Sequence, residues 1–191
     1  MPSARGWLLV LWCVLLAGCA TAQRRGEQAL YEGQYNEAIH LFQAILAEHP
    51  DRLDARLGLG IALYKAGALP DAALTLDEVL ARAPAEGTAL LYRGLAAIQQ
   101  HEDAVAVQHL TRFRDVVRIP RFEAQLSRAL RILSGPEPLG GDTREFMATS
   151  LEEAVRSARE VQQARLAAQR AYLSVFPPVR CAPTRHGWLC F

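Results

Sequence analysis

The sequence is poor in aromatic residues and in lysine. Phenylalanine, tryptophan and tyrosine make up only 7% of the 191 residues, although 51% are hydrophobic. A core with so few bulky side chains must be built largely from small ones, which lets helices approach one another closely. Of the 21 basic residues only Lys65 is a lysine, and 20 acidic residues leave a net charge of +1. This balance argues against nucleic acid as a partner, because non-specific binding to it needs a strong positive charge.

The sequence also lacks the short motifs of common enzyme classes. It contains no G-x-S-x-G or H-E-x-x-H sequence, no phosphate-binding loop and no C-x-x-C-H haem-attachment motif. Its histidines His40, His49, His101 and His109 are scattered, and none stands at metal-ligand spacing from another of them or from a cysteine. We therefore predict that the protein is not an enzyme and has no catalytic residues, cofactor or metal site.

A short hydrophobic segment near the N-terminus predicts export. Arg5 precedes an apolar run at residues 7–16, and the run leads through Ala17 and Gly18 into Cys19. The run is too short to span a bilayer. Leu-Ala-Gly-Cys after such a run resembles the lipobox of bacterial lipoproteins, whereas an ordinary secretory leader or a stubby membrane anchor is the alternative.

The lipobox resemblance implies lipid attachment and a location in the cell. Residues 1–18 would be a signal peptide that is removed before Cys19, and Cys19 would carry palmitate-type acyl chains that anchor the mature chain to a membrane. By the same resemblance, an aspartate after the cysteine would favour the inner membrane, and Ala20 occupies that position. The expected location is the cell envelope, at the periplasmic face of the outer membrane.

Two cysteines remain for the exported chain once Cys13 and Cys19 are set aside. Cys181 and Cys190 lie near the C-terminus, and an oxidising compartment favours a disulfide bond between them. His186 lies between the two cysteines, so a metal- or ligand-binding tail is the alternative interpretation.

Residues of the same kind recur at a fixed offset of 34 positions. Within each unit, apolar residues follow one another at intervals of three and four, which is helical spacing and predicts a pair of helices per unit. The related positions are Gly26, Gly60 and Gly94; Ala38, Ala72 and Ala106; Phe42, Leu76 and Leu110; Ile45, Val79 and Phe113; Gly33 and Gly67; and Pro50 and Pro84.

Residues 31–50 (YEGQYNEAIHLFQAILAEHP) and 57–84 (LGLGIALYKAGALPDAALTLDEVLARAP) resemble the tetratricopeptide repeat. The resemblance implies an all-α fold, a short helical solenoid of three repeats at 19–52, 53–86 and 87–120 with a capping helix at 121–133. Gly60 and Gly94 would lie where helices cross closely, and Gly33 and Gly67 would end first helices. In the third repeat His101 replaces the turn glycine, and Pro120 arrives two residues late, which predicts that the second helix runs long or shifts.

The C-terminal part is predicted as a linker at 134–142, one helix at 143–174 and a tail at 175–191. The linker is rich in glycine and proline, and Pro177-Pro178 stops the helix. A narrow apolar stripe on this helix predicts packing on its own solenoid, with self-association or a partner contact as alternatives. The stripe comprises Met147, Leu151, Ala154, Ala158, Val161, Ala168 and Tyr172.

The repeat resemblance implies a binding groove on the concave face, which the first helices of successive repeats line. The predicted protein-binding groove is Glu27, Tyr31, Leu57, Ile61, Tyr64, Lys65, Leu91, Leu95 and Ile98. Because this face is mostly apolar, we expect a partner segment or the chain's own tail to cover it. Residues 19–86 have a net charge of −4 and residues 87–134 one of +3. Solvated helix faces explain this difference, and a basic patch that orients an acidic partner is the alternative.

Together these features predict a membrane-anchored, non-catalytic adaptor that binds another envelope protein or a peptide segment of it. The alternative is an envelope protein that binds a ligand or metal through Cys181, His186 and Cys190.

Overall fold

The computed structural model describes residues 22–175, 181–184 and 187–190, with side chains described from Ala22 to Ala171. The predicted signal peptide at 1–18 and the predicted lipidation site Cys19 lie outside the described residues, as does His186. The chain forms two compact units, Met1–Glu152 and Glu153–Phe191.

The first unit is a succession of helices of similar length. The helices are α1 (described over 22–31), α2 (Tyr35–Glu48), α3 (Leu53–Lys65), α4 (Leu69–Arg82), α5 (Gly87–Gln99), α6 (Asp103–Val116), α7 (Pro120–Leu133) and the start of α8 (Gly141–Val175). Consecutive helices from α2 through α7 contact each other, and α3 also contacts α5, so that the first helices of neighbouring pairs stack. This packing confirms the predicted all-α solenoid.

Each helix pair is held together by a glycine that faces a large apolar residue sixteen positions later. A Cβ atom on any of these glycines would lie 2.7–2.8 Å from the facing side chain, and those side chains are fully buried. The close crossings predicted for Gly60 and Gly94 are therefore confirmed. The three facing pairs are Gly26 with Phe42, Gly60 with Leu76, and Gly94 with Leu110.

The turn inside each pair uses a left-handed backbone conformation. Gly33 has φ +78° and Gly67 has φ +80°, directly after the ends of α1 and α3. His101 adopts the same conformation in the third pair, with φ 63°, although it has a side chain. The turn geometry of the repeat thus prevails over the cost of a positive φ at a non-glycine residue.

The prolines between repeats expose backbone carbonyls that arginines bind. Nη2 of Arg56 donates to the carbonyl of Pro50 at 2.6 Å, and Nη2 of Arg112 donates to that of Pro84 at 2.8 Å. These bonds satisfy carbonyl groups that no helix can satisfy.

The late proline of the third repeat does not lengthen its second helix. Helix α6 has 14 residues, the same number as α2 and α4, and begins 34 residues after α4, so the predicted extension or shift is wrong. Pro120 instead occupies the first position of α7, where its missing N–H has no helical partner to lose. Helix α7 then packs on α6 through an edge-to-face contact between Phe113 and Phe122, with ring centroids 6.0 Å apart.

The second unit consists of the remainder of α8 and a small hairpin. Residues 162–171 of α8 are all exposed, and none of the described helices combines the length and hydrophobicity needed to cross a bilayer. Strands β1 (Cys181–Thr184) and β2 (Gly187–Cys190) pair antiparallel, with Cys181 opposite Cys190 in the backbone register. The side chains of this hairpin lie outside the described residues, so the disulfide bond stays a prediction.

Candidate protein-interaction site

Helix α5 carries the most deeply buried part of the predicted concave face. Leu91, Leu95 and Ile98 are at most 2% exposed. Residues 141–152, the first twelve residues of α8, belong to the same compact unit and bond to α5 at the Ile98 carbonyl and at the Tyr92 hydroxyl. We call residues 141–152 the covering segment.

One end of the covering segment is fixed by a buried arginine. Nη2 of Arg144 donates to Oδ2 of Asp103 at 2.9 Å, and Nη1 donates to Oδ1 of the same carboxylate. Nη1 also donates to the carbonyl of Ile98, and Nε to that of Leu139, both at 3.1 Å. The hydrogen bonds from Arg144 hold the pKa of Asp103 below its usual value, and the carboxylate raises the pKa of Arg144.

The other end of the covering segment is fixed by an acidic residue. Glu152 accepts a hydrogen bond from the Tyr92 hydroxyl at 2.7 Å and forms an ion pair with Lys65 at 2.5 Å. Tyr92 in turn packs edge-to-face on Tyr64, with ring centroids 5.3 Å apart. Burial, and then the charge of Glu152, raise the pKa of Tyr64. The covering segment therefore spans from the end of α5 to the end of α3.

The nine predicted groove residues fall into three groups. Leu91, Leu95, Ile98 and Tyr64 are buried; Leu57, Ile61 and Lys65 are half-buried; Glu27 and Tyr31 are exposed, Tyr31 to 90%. The α5 portion is occupied by the chain itself, whereas the α1 end of the face remains accessible. Their role in binding a protein stays a prediction.

The buried face of α8 follows the predicted stripe only at its start. Met147 and Leu151 are buried as expected, together with Ala148, Val155 and Arg144. Ala154, Ala158 and Val161 are half-buried, and Ala168 is exposed. The stripe shifts because the α-helix has 3.6 residues per turn, so a strict alternation of three and four drifts around the helix.

Four residues that fix the covering segment were not predicted from the sequence: Asp103, Arg144, Tyr92 and Glu152. Arg144 stands three positions before Met147 and seven before Leu151, on the same helix face. A charged residue in line with an apolar stripe signals a buried ion pair. The sequence contains that signal for Arg144 but does not indicate which of the acidic residues is its partner.

A second buried polar cluster lies between α4, α5 and α6. Arg93 is 8% exposed and its Nε contacts both oxygens of Asp77, at 3.0 and 3.1 Å, while its Nη1 lies 3.4 Å from Glu102. His109 lies near this cluster, and burial, then the charge of Arg93, lower its pKa. These contacts tie successive repeats together.

An open groove lies at the end of the solenoid, between α7 and the covering segment. It has a volume of about 590 Å³, and a hydrogen bond from Gln125 Nε2 to the Ser150 carbonyl, at 3.0 Å, bridges its two sides. We call it the terminal groove; its lining comprises Arg121, Ala124, Gln125, Arg128, Ala129, Ile132, Thr143, Phe146, Met147, Ser150 and Leu151.

No group of three or more histidine, cysteine, aspartate or glutamate side chains is arranged to hold a metal ion within the part of the chain that the structure describes. Cys181, His186 and Cys190, the alternative metal site, lie outside the side chains so described.

Comparison with protein families identifies the repeat. Residues 29–98 match the family model described as tetratricopeptide repeat. Over these residues the chain belongs to the tetratricopeptide repeat family. The matched residues cover the first two turns, the α2–α4 helices and nearly all of α5.

Solved structures share the fold of this chain. The match to "MamA RS-1 ArsTM double mutant" has a TM-score of 0.56 and 20% identity, over 73% of this chain and 76% of that one. The match to "MamA 41-end from Desulfovibrio magneticus RS-1" has a TM-score of 0.54 and 19% identity, over 76% of each chain. Comparison with curated proteins finds no match. The tetratricopeptide fold supports a protein-interaction scaffold.

Proposed function

We propose that this tetratricopeptide repeat protein is a non-catalytic adaptor that is anchored to a membrane of the bacterial envelope and holds another protein there. The tetratricopeptide repeat at 29–98 is the observation that carries the adaptor function. Two features of the described residues support it further. The α1 end of the concave face is exposed at Tyr31, and the terminal groove is open.

Lipid attachment at Cys19 is the second part of the proposal, and the Leu-Ala-Gly-Cys sequence at 16–19 supports it. We expect cells fed an alkyne analogue of palmitate to label the full-length chain, and Cys19→Ser to abolish the label and release the protein from the membrane fraction. Cys13→Ser is the matched control, because Cys13 lies in the predicted leader and its loss leaves the label unchanged. Undiminished labelling of Cys19→Ser would refute acylation at this residue.

The location in the envelope is also part of the proposal. Ala20 after the cysteine supports the periplasmic face of the outer membrane. Density-gradient separation of the two membranes should recover the wild-type chain with outer-membrane markers, and Ala20→Asp should move it toward the inner membrane. Recovery of the wild-type chain with inner-membrane markers would contradict the proposed location.

A disulfide bond between Cys181 and Cys190 would close the tail. Residues that face each other in an antiparallel pair have Cα atoms about 4.5–5.5 Å apart, which lies within the range of disulfide bonds. Intact mass spectrometry of the protein purified from the envelope should show the loss of two hydrogens and no bound metal. Free thiols together with stoichiometric zinc would instead favour the metal-binding alternative.

A further inference from the structure

The terminal groove concentrates exposed apolar surface at one place. Phe146 is 75% exposed and Ile132 is 42% exposed, and both line this groove. The floor between them is formed by small and apolar side chains, among them Ala129 and Met147. A soluble surface seldom gathers such residues without a partner that covers them.

The charges of the groove are of one sign. Arg121 and Arg128 are the only charged residues of its lining, both are exposed, and neither has an ion-pair partner among the residues that the structure describes. By contrast, Arg144 and Arg93, elsewhere in the same unit, are paired with carboxylates. The groove therefore presents unpaired positive charge beside apolar surface. A partner surface that is complementary to it is apolar and carries acidic residues.

The spacing of the two arginines restricts the shape of that complement. They lie seven positions apart on α7, which is two helical turns, or about 10 Å along the helix axis. Two carboxylates with the same spacing can pair with both arginines while the side chains stay extended along α7. A helix with acidic residues two turns apart and apolar residues between them matches the apolar floor and both charges at once.

Helix packing within this chain shows how a helix can bind in such a groove. Helix α5 contacts both α3 and α4, the preceding pair, and in this way covers the groove between them. The covering segment shows how a basic residue of the solenoid binds an acidic residue of a packed helix, because its Glu152 forms an ion pair with Lys65. The terminal groove has two helical walls and no described helix seated in it.

We propose that the terminal groove binds an acidic amphipathic helix of a partner protein, with Arg121 and Arg128 pairing with two of its carboxylates. This inference rests on the proposed adaptor function and names the surface and the class of partner. It places the partner at the end of the solenoid, because the chain itself occupies the α5 part of the concave face.

The test uses the full-length chain in the cells that produce it, with the photo-crosslinking residue p-benzoylphenylalanine at single exposed positions. Position 146 probes the terminal groove, position 31 the accessible end of the concave face, and position 74, where Leu74 is 64% exposed on α4, is the control. We expect a protein adduct from position 146, and mass spectrometry should map the crosslinked peptide to an amphipathic segment with acidic residues about two turns apart. The same adduct should be absent from position 74.

Charge reversal makes the test specific. The double variant Arg121→Glu, Arg128→Glu, with the crosslinker at position 146, should reduce the adduct by roughly tenfold or more, because like charges face each other across the interface. Both arginines are exposed, so the variant should keep the thermal unfolding midpoint of the parent. Exchanging the mapped partner carboxylates for arginine should restore the adduct.

The other outcomes overturn the proposal in distinguishable ways. An adduct with a second copy of this chain would make the groove a self-association surface, and an adduct with phospholipid would make it a membrane contact. A protein adduct only from position 31 would refute the terminal groove and leave the adaptor function intact. Protein adducts from none of the positions would refute both.

Discussion

Among the described side chains, His109 is a titratable group in an unfavourable environment. It is 8% exposed, and its Nδ1 has no hydrogen-bond partner among the described residues. Burial, followed by the charge of Arg93, lowers the pKa of His109; Asp77 opposes this shift and Arg112 adds to it. Protonation therefore favours the unfolded chain, in which the imidazole is hydrated.

The pH dependence of stability should report this residue. Because the folded-state pKa is depressed, the contribution of His109 is fully present above the unfolded-state pKa of about 6.5 and is lost as the pH falls below it. We expect the free energy of unfolding in urea to decrease over this range. In His109→Leu this decrease in the free energy of unfolding should disappear between about pH 7 and pH 5. If the free energy of unfolding depends on pH equally in both proteins, another group causes the decrease.

At the scale of residues, local backbone requirements were predictable from the sequence. Gly33 and Gly67 stand at turn positions, and the offset of 34 also placed His101 there, which the structure confirms. The pairing of Arg144 with Asp103 was not predictable in this way. The two residues lie 41 positions apart, which differs from the repeat period, and their contact depends on how α8 returns to α5 and α6.

Between elements, the fit of a glycine to its facing residue can be tested by changing both. A Cβ on Gly60 would lie 2.8 Å from Leu76 Cδ2, so Gly60→Ala should lower the free energy of unfolding by about 1–3 kcal/mol through overpacking.

Shortening the facing residue provides the matched control. Leu76→Val makes room for the added methyl group, so the double variant should be more stable than the sum of the two single effects predicts. Simple additivity in chemical unfolding would mean that the contact does not limit the approach of α3 and α4.

The attachment of the covering segment depends most on Arg144, whose side chain is 4% exposed. Arg144→Ala should destabilise the protein by about 3 kcal/mol, because Asp103 and the Leu139 carbonyl lose their partner and the Ile98 carbonyl keeps only the His101 N–H. Limited proteolysis should then cut near residues 134–142 much faster.

Arg156→Ala is the control for this experiment. Arg156 is 66% exposed and pairs with Glu153 on the same helix, an arrangement that contributes less than about 0.5 kcal/mol. Equal protease sensitivity of the two variants would contradict the role assigned to Arg144.

At the scale of elements, the sequence predicts helices well and their non-local neighbours poorly. Apolar spacing located α2 to α7, and the helix predicted at 143–174 is observed as Gly141–Val175. The packing of the covering segment on α5 was one of several alternatives, because an apolar stripe indicates only that some surface is covered. The terminal groove was not predicted, since its two walls come from helices separated by a linker.

For the whole molecule, the covering segment should keep the chain monomeric. A chain that ends at Ser134 lacks the covering segment, and we expect it to expose apolar side chains of α5 such as Leu91, Leu95 and Ile98, which are buried in the complete protein. We expect it to self-associate with increasing concentration in sedimentation velocity experiments. A chain that ends at Glu152 retains the covering segment and should sediment as a monomer; self-association of both chains to the same extent would contradict this role.

The two ends of the covering segment also have a consequence for cooperativity. In a simple solenoid each repeat touches only its neighbours, so the terminal repeats open first and independently. Here Arg144 and Glu152 connect α8 with α3, α5 and α6, whereas among the described residues none of the polar contacts of the covering segment reaches α1 or α2. Amide protection in native-state hydrogen exchange should therefore differ between the two ends of the solenoid. Amides of α3, α5 and α6 should exchange only in a shared global opening, and those of α1 and α2 should exchange earlier through local opening at the end nearest the proposed membrane anchor.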